Sequence, residues 1–345
     1  MPRLMPYDSE PMPAGLNYVT QAAGGKCRFV MHALKAAREM RKHTHSAPVF
    51  TICAHINLLL AAYAARQILS GPLALVIHGI DAWKPTSGLL ANRLATKVDR
   101  VISVSQLTTE RFLSWSAVSR DKVSILPNSV NLSLFGPGPK DPSLLSRYKL
   151  NGKKVIMTLG RLAGAERYKG FDEVLETMPK LLESIPNLTY LIAGDGLDRG
   201  RLEQKARSLG LTEHVVFAGQ VAEAEKADHY RLADAYVMPS SGEGFGIVYL
   251  EAMACGIPVV GSSIDGSREA LRNGELGLLV DPRNPEQIRK AILSALCQSK
   301  GVPPGLDYFS LASFRSRVHR IVDELIGPSD KTNSTAEAPL SAFAQ

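Results

Sequence analysis

The chain has 345 residues, 45% of them apolar, and its 40 Lys and Arg against 33 Asp and Glu give a formal net charge of +7. That length accommodates two domains of ordinary size, each with its own core. The basic excess is far short of the dense Lys/Arg stripes of a nucleic-acid binder, so no nucleic-acid partner is expected, and 4 scattered cysteines without a C-x-x-C exclude a disulfide framework.

The first ten residues, M-P-R-L-M-P-Y-D-S-E, read as neither signal peptide nor anchor. Cys27, Cys53, Cys255 and Cys297 read as reduced, mostly buried thiols of a cytoplasmic protein. A helix-like run extends from about Arg28 to Arg41, preceded by Ala22-Ala23-Gly24-Gly25-Lys26 and by no convincing strand. His43 and His45 sit in a basic loop without acids, which is no metal set. The most apolar segment, Ala47 to Ala65, contains His55, Asn57 and Tyr63 and reads as a strand running into a buried helix rather than a membrane span. Val49–Cys53, Leu73–Ile77, Val101–Val104 and Val123–Leu126 are the strands of the first half. His78-Gly79 ends the second of these, and His78 reads evenly as a structural residue or as a functional one facing a cleft. Leu126-Pro127-Asn128-Ser129-Val130 is a turn that shapes the cleft floor, and the Pro/Gly-rich residues 134–152 read as a hinge.

The second half alternates more clearly. Val155–Leu159, Thr189–Ala193, Val215–Ala218, Ala235–Met238, Pro258–Gly261 and Gly277–Val280 are short apolar runs bounded by Gly, Pro or polar residues. Phe171, Val174, Leu175, Met178, Leu181, Leu182 and Ile185, spaced by three and four, form one face of a helix. Ile288, Ala291, Ile292, Ala295 and Leu296 repeat that pattern. Phe309–Leu325 reads as a final helix, and the small, polar stretch from Pro328 to Gln345 as disordered. Strands alternating with helices imply parallel strands and right-handed crossovers, hence a doubly wound α/β sheet.

The ends of those strands carry the chemistry. Gly160-Arg161-Leu162 closes the first strand of the second half, and Glu166-Arg167-Tyr168-Lys169-Gly170 leads into the following helix. Two cations beside a helix N-terminus, at the carboxyl end of a parallel strand, suit a diphosphate. Ala193-Gly194-Asp195-Gly196 reads as a tight turn that a base or ribose could approach. Residues 240–261, S-S-G-E-G-F-G-I-V-Y-L-E-A-M-A-C-G-I-P-V-V-G, hold a glycine-rich turn with Glu243, a helix entered at about Phe245, a second acid at Glu251, and a stop at Gly256-Ile257-Pro258. Open amides at such a turn suit an anion, whereas the two carboxylates would repel it and serve instead to accept hydrogen bonds from neutral hydroxyls. Phosphates flanked by hydroxyl-rich groups describe a nucleotide sugar. The chain shows no Asp-x-Asp at a strand end, no metal-spaced cluster, no P-loop and no Gly-x-Ser-x-Gly elbow, so a leaving diphosphate would be neutralised by Arg, Lys and helix N-termini.

Taken together, Gly160-Arg161, Lys169-Gly170, Ala193-Gly194-Asp195-Gly196 and the E-x7-E pair Glu243 and Glu251 resemble a retaining glycosyltransferase of family 4, over about residues 50–325 and most strongly over 153–282. The resemblance implies the GT-B fold, two Rossmann-like parallel-sheet domains facing a cleft. Residues 1–140 would form the acceptor-side domain, 141–307 the donor domain, 308–327 a helix crossing back, and 328–345 the tail. It implies a UDP- or GDP-linked hexose as donor, no metal or other cofactor, and a hydroxyl of a glycan or lipid-linked acceptor, with peripheral contact at the inner face of a membrane reasonable for a lipid. By position, Arg161 and Lys169 would bind the diphosphate, with Gly160, Gly194 and Gly196 lining the donor site. Glu243 would meet the transferred sugar beside Gly244 and the amides of Phe245 and Gly246, Glu251 would hold the ribose, and His78 would stand near the reacting centre. The family opens with a strand and glycine-rich loop of which Ala22–Lys26 is at best a remnant. A first sheet shortened by one or two strands is therefore expected, and with it an alternative function as a nucleotide-sugar-binding accessory protein without turnover.

Overall fold

The computed structural model describes residues 19–44 and 49–326. His45, the residues before Val19 and the tail expected over 328–345 lie outside them. The first sheet has four parallel strands in chain order: β1 (Thr51–Cys53), β2 (Leu73–Ile77), β3 (Arg100–Ser103) and β4 (Val123–Ile125). The helix Lys26–His43 buries Phe29, Ala33 and Ala37, spaced by four, and packs with Ala61 of the helix Leu59–Leu69. Among the described residues no strand pairs outside β1, and Ile52 on it is 54% exposed.

The second sheet has six parallel strands: β5 (Lys154–Leu159), β6 (Leu188–Ala193), β7 (Val215–Gly219), β8 (Ala235–Val237), β9 (Val259–Ser262) and β10 (Leu278–Val280). Their order, β10-β9-β8-β5-β6-β7, is doubly wound, with the chain reversing direction between β5 and β8. All six residues of β6 are buried, as a strand covered on both faces requires. One face packs against Phe171, Val174, Leu175, Met178 and Leu181 of the helix Phe171–Ser184, together with Ile288 and Ile292 of the helix Pro285–Cys297. Each such side chain contributes about 1.5–3 kcal/mol by burial. The other face packs against Tyr249, Leu250 and Met253 of the helix Ile247–Ala254.

Three expectations change in detail. The stretch 134–152 is more than a hinge: Asp141 caps a helix Pro142–Arg147, accepting from the amides of Ser143 and Leu144, while Phe135 and Leu144 enter the core of the second sheet. The cysteines are not mostly buried, since Cys53 and Cys255 are inside while Cys27 and Cys297 are exposed. His43 ends the first helix rather than standing in a loop.

After a short 3-10 turn, the last helix, Leu311–Ile326, lies on the first sheet. Ile321 meets Ala74 and Ile102, and Arg100 pairs with Glu324 at 3.0 Å. The amide of Val130 donates to the Phe309 carbonyl at 2.9 Å, joining the turn after β4 to the start of this crossing. No helix among the described residues is long and apolar enough to cross a membrane.

Candidate functional site

The site assembles at the carboxyl ends of β5 and β6. Gly160-Arg161 leaves β5, and Gly194-Asp195-Gly196 leaves β6. The two loops run together through Gly160 N to Ala193 O and Leu162 N to Asp195 O, both 2.9 Å. Gly194 has φ +129°, and a side chain there would collide with the Gly160 carbonyl; Gly196, at φ +152°, would likewise strike that of Leu162. Both glycines are therefore explained by the packing of two backbones, a cause independent of any ligand. Gly160, Arg161, Lys169, Gly194 and Asp195 line a cavity of about 440 Å³ that Gln220 and Val221 close on the β7 side.

The two expected diphosphate cations converge. Arg161 pairs with one carboxylate oxygen of Glu166, and Lys169 Nζ lies 3.1 Å from the other. Lys169 is nearly buried, its side chain 13% exposed against Gly160, while that of Arg161 is 79% exposed. Glu166 thus holds together the charges that a diphosphate would need. Its loop is anchored from behind. Arg167 pairs with Asp198 at 2.8 Å, and Arg201 bridges Asp198 and Asp172, both at 2.7 Å.

The Glu243 turn rests on a buried acid, Asp265, which is 2% exposed. One Asp265 oxygen accepts from the Ser240 hydroxyl and from Glu243 N at 2.9 Å; the other accepts from the hydroxyl and the amide of Ser267, the amide at 3.0 Å. Burial pushes the carboxyls of Asp265 and Glu243 above their ordinary range. Hydrogen bonds from Ser240 and Ser267 oppose this for Asp265, and the charge of Lys169 opposes it for Glu243. The following helix begins at Ile247 rather than Phe245. Gly246 precedes it at φ +90°, where any side chain would meet the Tyr249 ring, and no side chain caps the helix.

Phe245 turns inward, edge-on to Phe309 at 5.6 Å between ring centroids. Glu251 is buried on the same helix, accepts from the Tyr230 hydroxyl at 2.7 Å, and has Lys226 Nζ at 3.9 Å. Its carboxyl is pushed up by burial, with Tyr230 and Lys226 opposing. His78 is exposed at the end of β2, and its Nε2 lies 2.9 Å from the Ala54 carbonyl, so that nitrogen carries the proton. Gly244 packs directly on the His78 carbonyl, and a Cβ added to Gly79 would stand 2.7 Å from Gly244 Cα. Glycines on both sides let the Glu243 turn and the His78 turn touch.

Of the residues singled out in the sequence, Arg161 and Lys169 line one cavity and the Glu243 and His78 turns touch at Gly244, while Glu166 and Asp265 were assigned no role. Glu166 was legible only as the acid in a basic loop. Asp265 sits in I-D-G-S after β9, where an acid followed by glycine at a strand end was the available signal.

The family profile described as Glycosyltransferase Family 4 matches residues 14–134, and that described as Glycosyl transferases group 1 matches residues 146–301. The GDP-mannose-dependent alpha-(1-6)-phosphatidylinositol monomannoside mannosyltransferase of Mycolicibacterium smegmatis is 33% identical over 249 residues, 66% of this chain and 64% of that protein. The phosphatidyl-myo-inositol mannosyltransferase of Mycobacterium leprae is 35% identical over 236 residues, 67% of this chain and 60% of that one. The matches thus span less than two thirds of these relatives' own length. Among solved structures, Anabaena Alr3699/HepE in complex with UDP and glucose superposes with a TM-score of 0.73 at 21% identity, covering 86% of this chain and 81% of that one. Sucrose-phosphate synthase from Thermosynechococcus elongatus superposes with a TM-score of 0.74 at 20% identity, covering 94% and 88%. Both likenesses establish the two-domain GT-B architecture.

Proposed function

The chain belongs to the family 4, group 1 glycosyltransferases, and from that premise we propose that it transfers a hexose from a nucleotide-diphosphate sugar to a hydroxyl of a lipid-linked or glycan acceptor, without a metal and with retention of configuration. The observation that carries this is the convergence of Arg161 and Lys169 on one point lined by Glu166, beside the Glu243 turn that touches His78. The names of the relatives favour GDP-mannose as donor and a phosphatidylinositol-type lipid as acceptor. Such an acceptor places the protein at a membrane face by peripheral contact.

In this reading the diphosphate takes the place of Glu166 as counter-ion, and Arg161 and Lys169 stabilise the charge that grows on it as the sugar departs. Glu243 accepts from a hydroxyl of the transferred sugar. Burial raises its carboxyl, as expected of a group held in a desolvated turn. Glu251 and the loop at Gly194 serve the nucleoside end. His78, with its Nε2 proton committed to Ala54, presents Nδ1 as an acceptor near the reacting sugar. The acceptor hydroxyl enters on the face from which the diphosphate leaves, so catalysis is positioning and charge stabilisation rather than covalent.

Among the described residues no strand pairs outside β1, which favours a second reading, in which the protein binds the donor without turning it over. Calorimetric titration with GDP, UDP, ADP and their hexose conjugates in chelator separates the two, followed by transfer of labelled mannose from GDP-mannose to phosphatidylinositol vesicles. Binding with labelled lipid product establishes the transferase. Binding with neither labelled lipid nor released mannose favours the second reading, and no nucleotide binding removes both.

A further inference from the structure

Glu269 belongs to the second domain, on the short helix Ser267–Ala270, yet both its oxygens are committed to the first. Oε2 accepts from Gln106 N at 2.7 Å and Oε1 from Leu107 N at 2.8 Å. These amides open the helix Gln106–Leu113, whose first-turn N–H groups have no acceptor within the helix. Ser105 already serves the amide of Thr108 at 3.1 Å, so Glu269 completes the cap from across the domain boundary. Its negative charge lies on the positive end of that helix, and its hydrogen bonds are charge-assisted.

The same turn carries the support of the Glu243 loop. Asp265, four residues earlier, holds Glu243 N, and Gly266 N donates to the Glu243 carbonyl at 2.8 Å. Gly266 packs on the Gly244 carbonyl, and Gly244 packs on that of His78. The two hydrogen-bonded turns thus touch the first domain twice, through Gly244 at His78 and through Glu269 at Gln106 and Leu107.

We propose that Glu269 is a cross-domain positioning residue, whose capping of Gln106–Leu113 fixes the closed cleft in which the Glu243 turn is in register with His78. It touches neither donor nor acceptor and acts through the helix and through the Asp265–Glu243 turn. When the cleft opens, water replaces both partners of each hydrogen bond. The latch therefore biases closure without sealing it, by roughly ten- to a hundredfold. A cleft that must admit a sugar nucleotide and release a nucleotide needs a contact of that reversible kind. The kinetic part of this inference rests on the transferase reading; the conformational part stands without it.

The test uses the full chain and the variants Glu269→Ala and Glu269→Gln. Small-angle scattering without nucleotide should show a larger maximum dimension for Glu269→Ala than for the wild type. Transfer from GDP-mannose should lose about tenfold or more in kcat, while the Kd for GDP stays within about twofold. Glu269→Gln keeps one acceptor oxygen and the size of the side chain, and should fall between the two in both measurements; it also reads the latch should the alanine variant fold poorly. Unchanged scattering with unchanged kcat overturns the proposal. So does a fall in GDP affinity as large as the fall in kcat, which would make Glu269 a support of the donor site alone. A wild-type protein that neither binds nor transfers removes the transferase reading, and the scattering comparison still decides the latch.

Discussion

The amide of Glu243 donates to the buried carboxylate of Asp265 at 2.9 Å, and the Ser240 hydroxyl donates to the same oxygen. The acid proposed to meet the sugar is therefore held by a second acid, buried between that turn and Ser267. Asp265→Ala leaves Glu243 N, Ser240 and Ser267 without their acceptor inside the protein. The expected cost is about 3–5 kcal/mol in unfolding free energy, because the stranded donors keep their desolvation penalty. Asp265→Asn retains one acceptor oxygen and should lose about half of that. Urea denaturation measures both. An alanine variant as stable as the wild type would show that water replaces the carboxylate at no cost.

Gly244 is one of the points where the two domains touch. Its missing side chain is the space occupied by the His78 carbonyl, so Gly244→Ala must move one turn away from the other. Forced separation of packed backbone costs about 1–3 kcal/mol. That should appear as roughly a 10- to 100-fold loss in kcat/KM for transfer, with GDP binding little changed. Parallel assays of transfer and of GDP affinity separate these effects. Wild-type turnover in Gly244→Ala would mean that the contact plays no part in the productive arrangement.

Much of this architecture was legible because burial on two faces leaves a continuous apolar run. β2 occupies Leu73–Ile77 as read, and the helix face from Phe171 to Leu181 is the buried one. What escaped is polar and long-range. Asp141-Pro142 is an N-cap followed by a first-turn proline, a local signal for a helix that the surrounding Gly and Pro obscured. Asp265 and Glu269 have no periodicity to expose them, since their partners are set by loop geometry and lie up to 163 residues away, while Glu166 pairs within its own loop. Gly194 and Gly196 were legible as a turn; that they exist to pass Gly160 and Leu162 required the fold.

Acid should loosen the loop around Arg167 through Asp198. Hydrogen bonds from Arg201 and then Arg167 lower its carboxyl from 3.8 to about 2, against the opposing effect of burial. A depressed folded value means that the stabilisation is complete above the unfolded value of 3.8 and is lost as pH falls through about 2. Glu243 and Asp265 have the opposite sign. Burial raises both, so their contributions favour the fold most below their unfolded values and weaken as pH rises through the raised ones. Asp198→Asn should flatten the acid limb of the stability curve between about pH 4 and 2 while leaving the Asp265 contribution in place. Thermal melts across that range are the check, and an unaltered acid limb would show that the Arg201 and Arg167 contacts persist in the unfolded chain.

In the proposed reading, Glu166 and a diphosphate compete for Arg161 and Lys169. Arg161→Ala or Lys169→Ala should remove about 2–4 kcal/mol of transition-state stabilisation, since each withdraws a charge from the leaving group. Glu166→Gln acts in the other direction. It takes away the resident negative charge without changing the shape of the loop, so Arg161 and Lys169 no longer exchange one anionic partner for another when nucleotide arrives. The Arg161 side chain is largely exposed and its pairing is screened, which keeps the effect modest. GDP should bind roughly three- to tenfold more tightly to Glu166→Gln, most visibly at low salt. Product release should slow in step, so kcat falls even as affinity rises. Calorimetry at two ionic strengths reads the first effect, and pre-steady-state release of GDP the second. Weaker binding in the glutamine variant would reverse the assignment: Glu166 would then be the scaffold that holds the two cations in place for the diphosphate, not the anion that the diphosphate displaces.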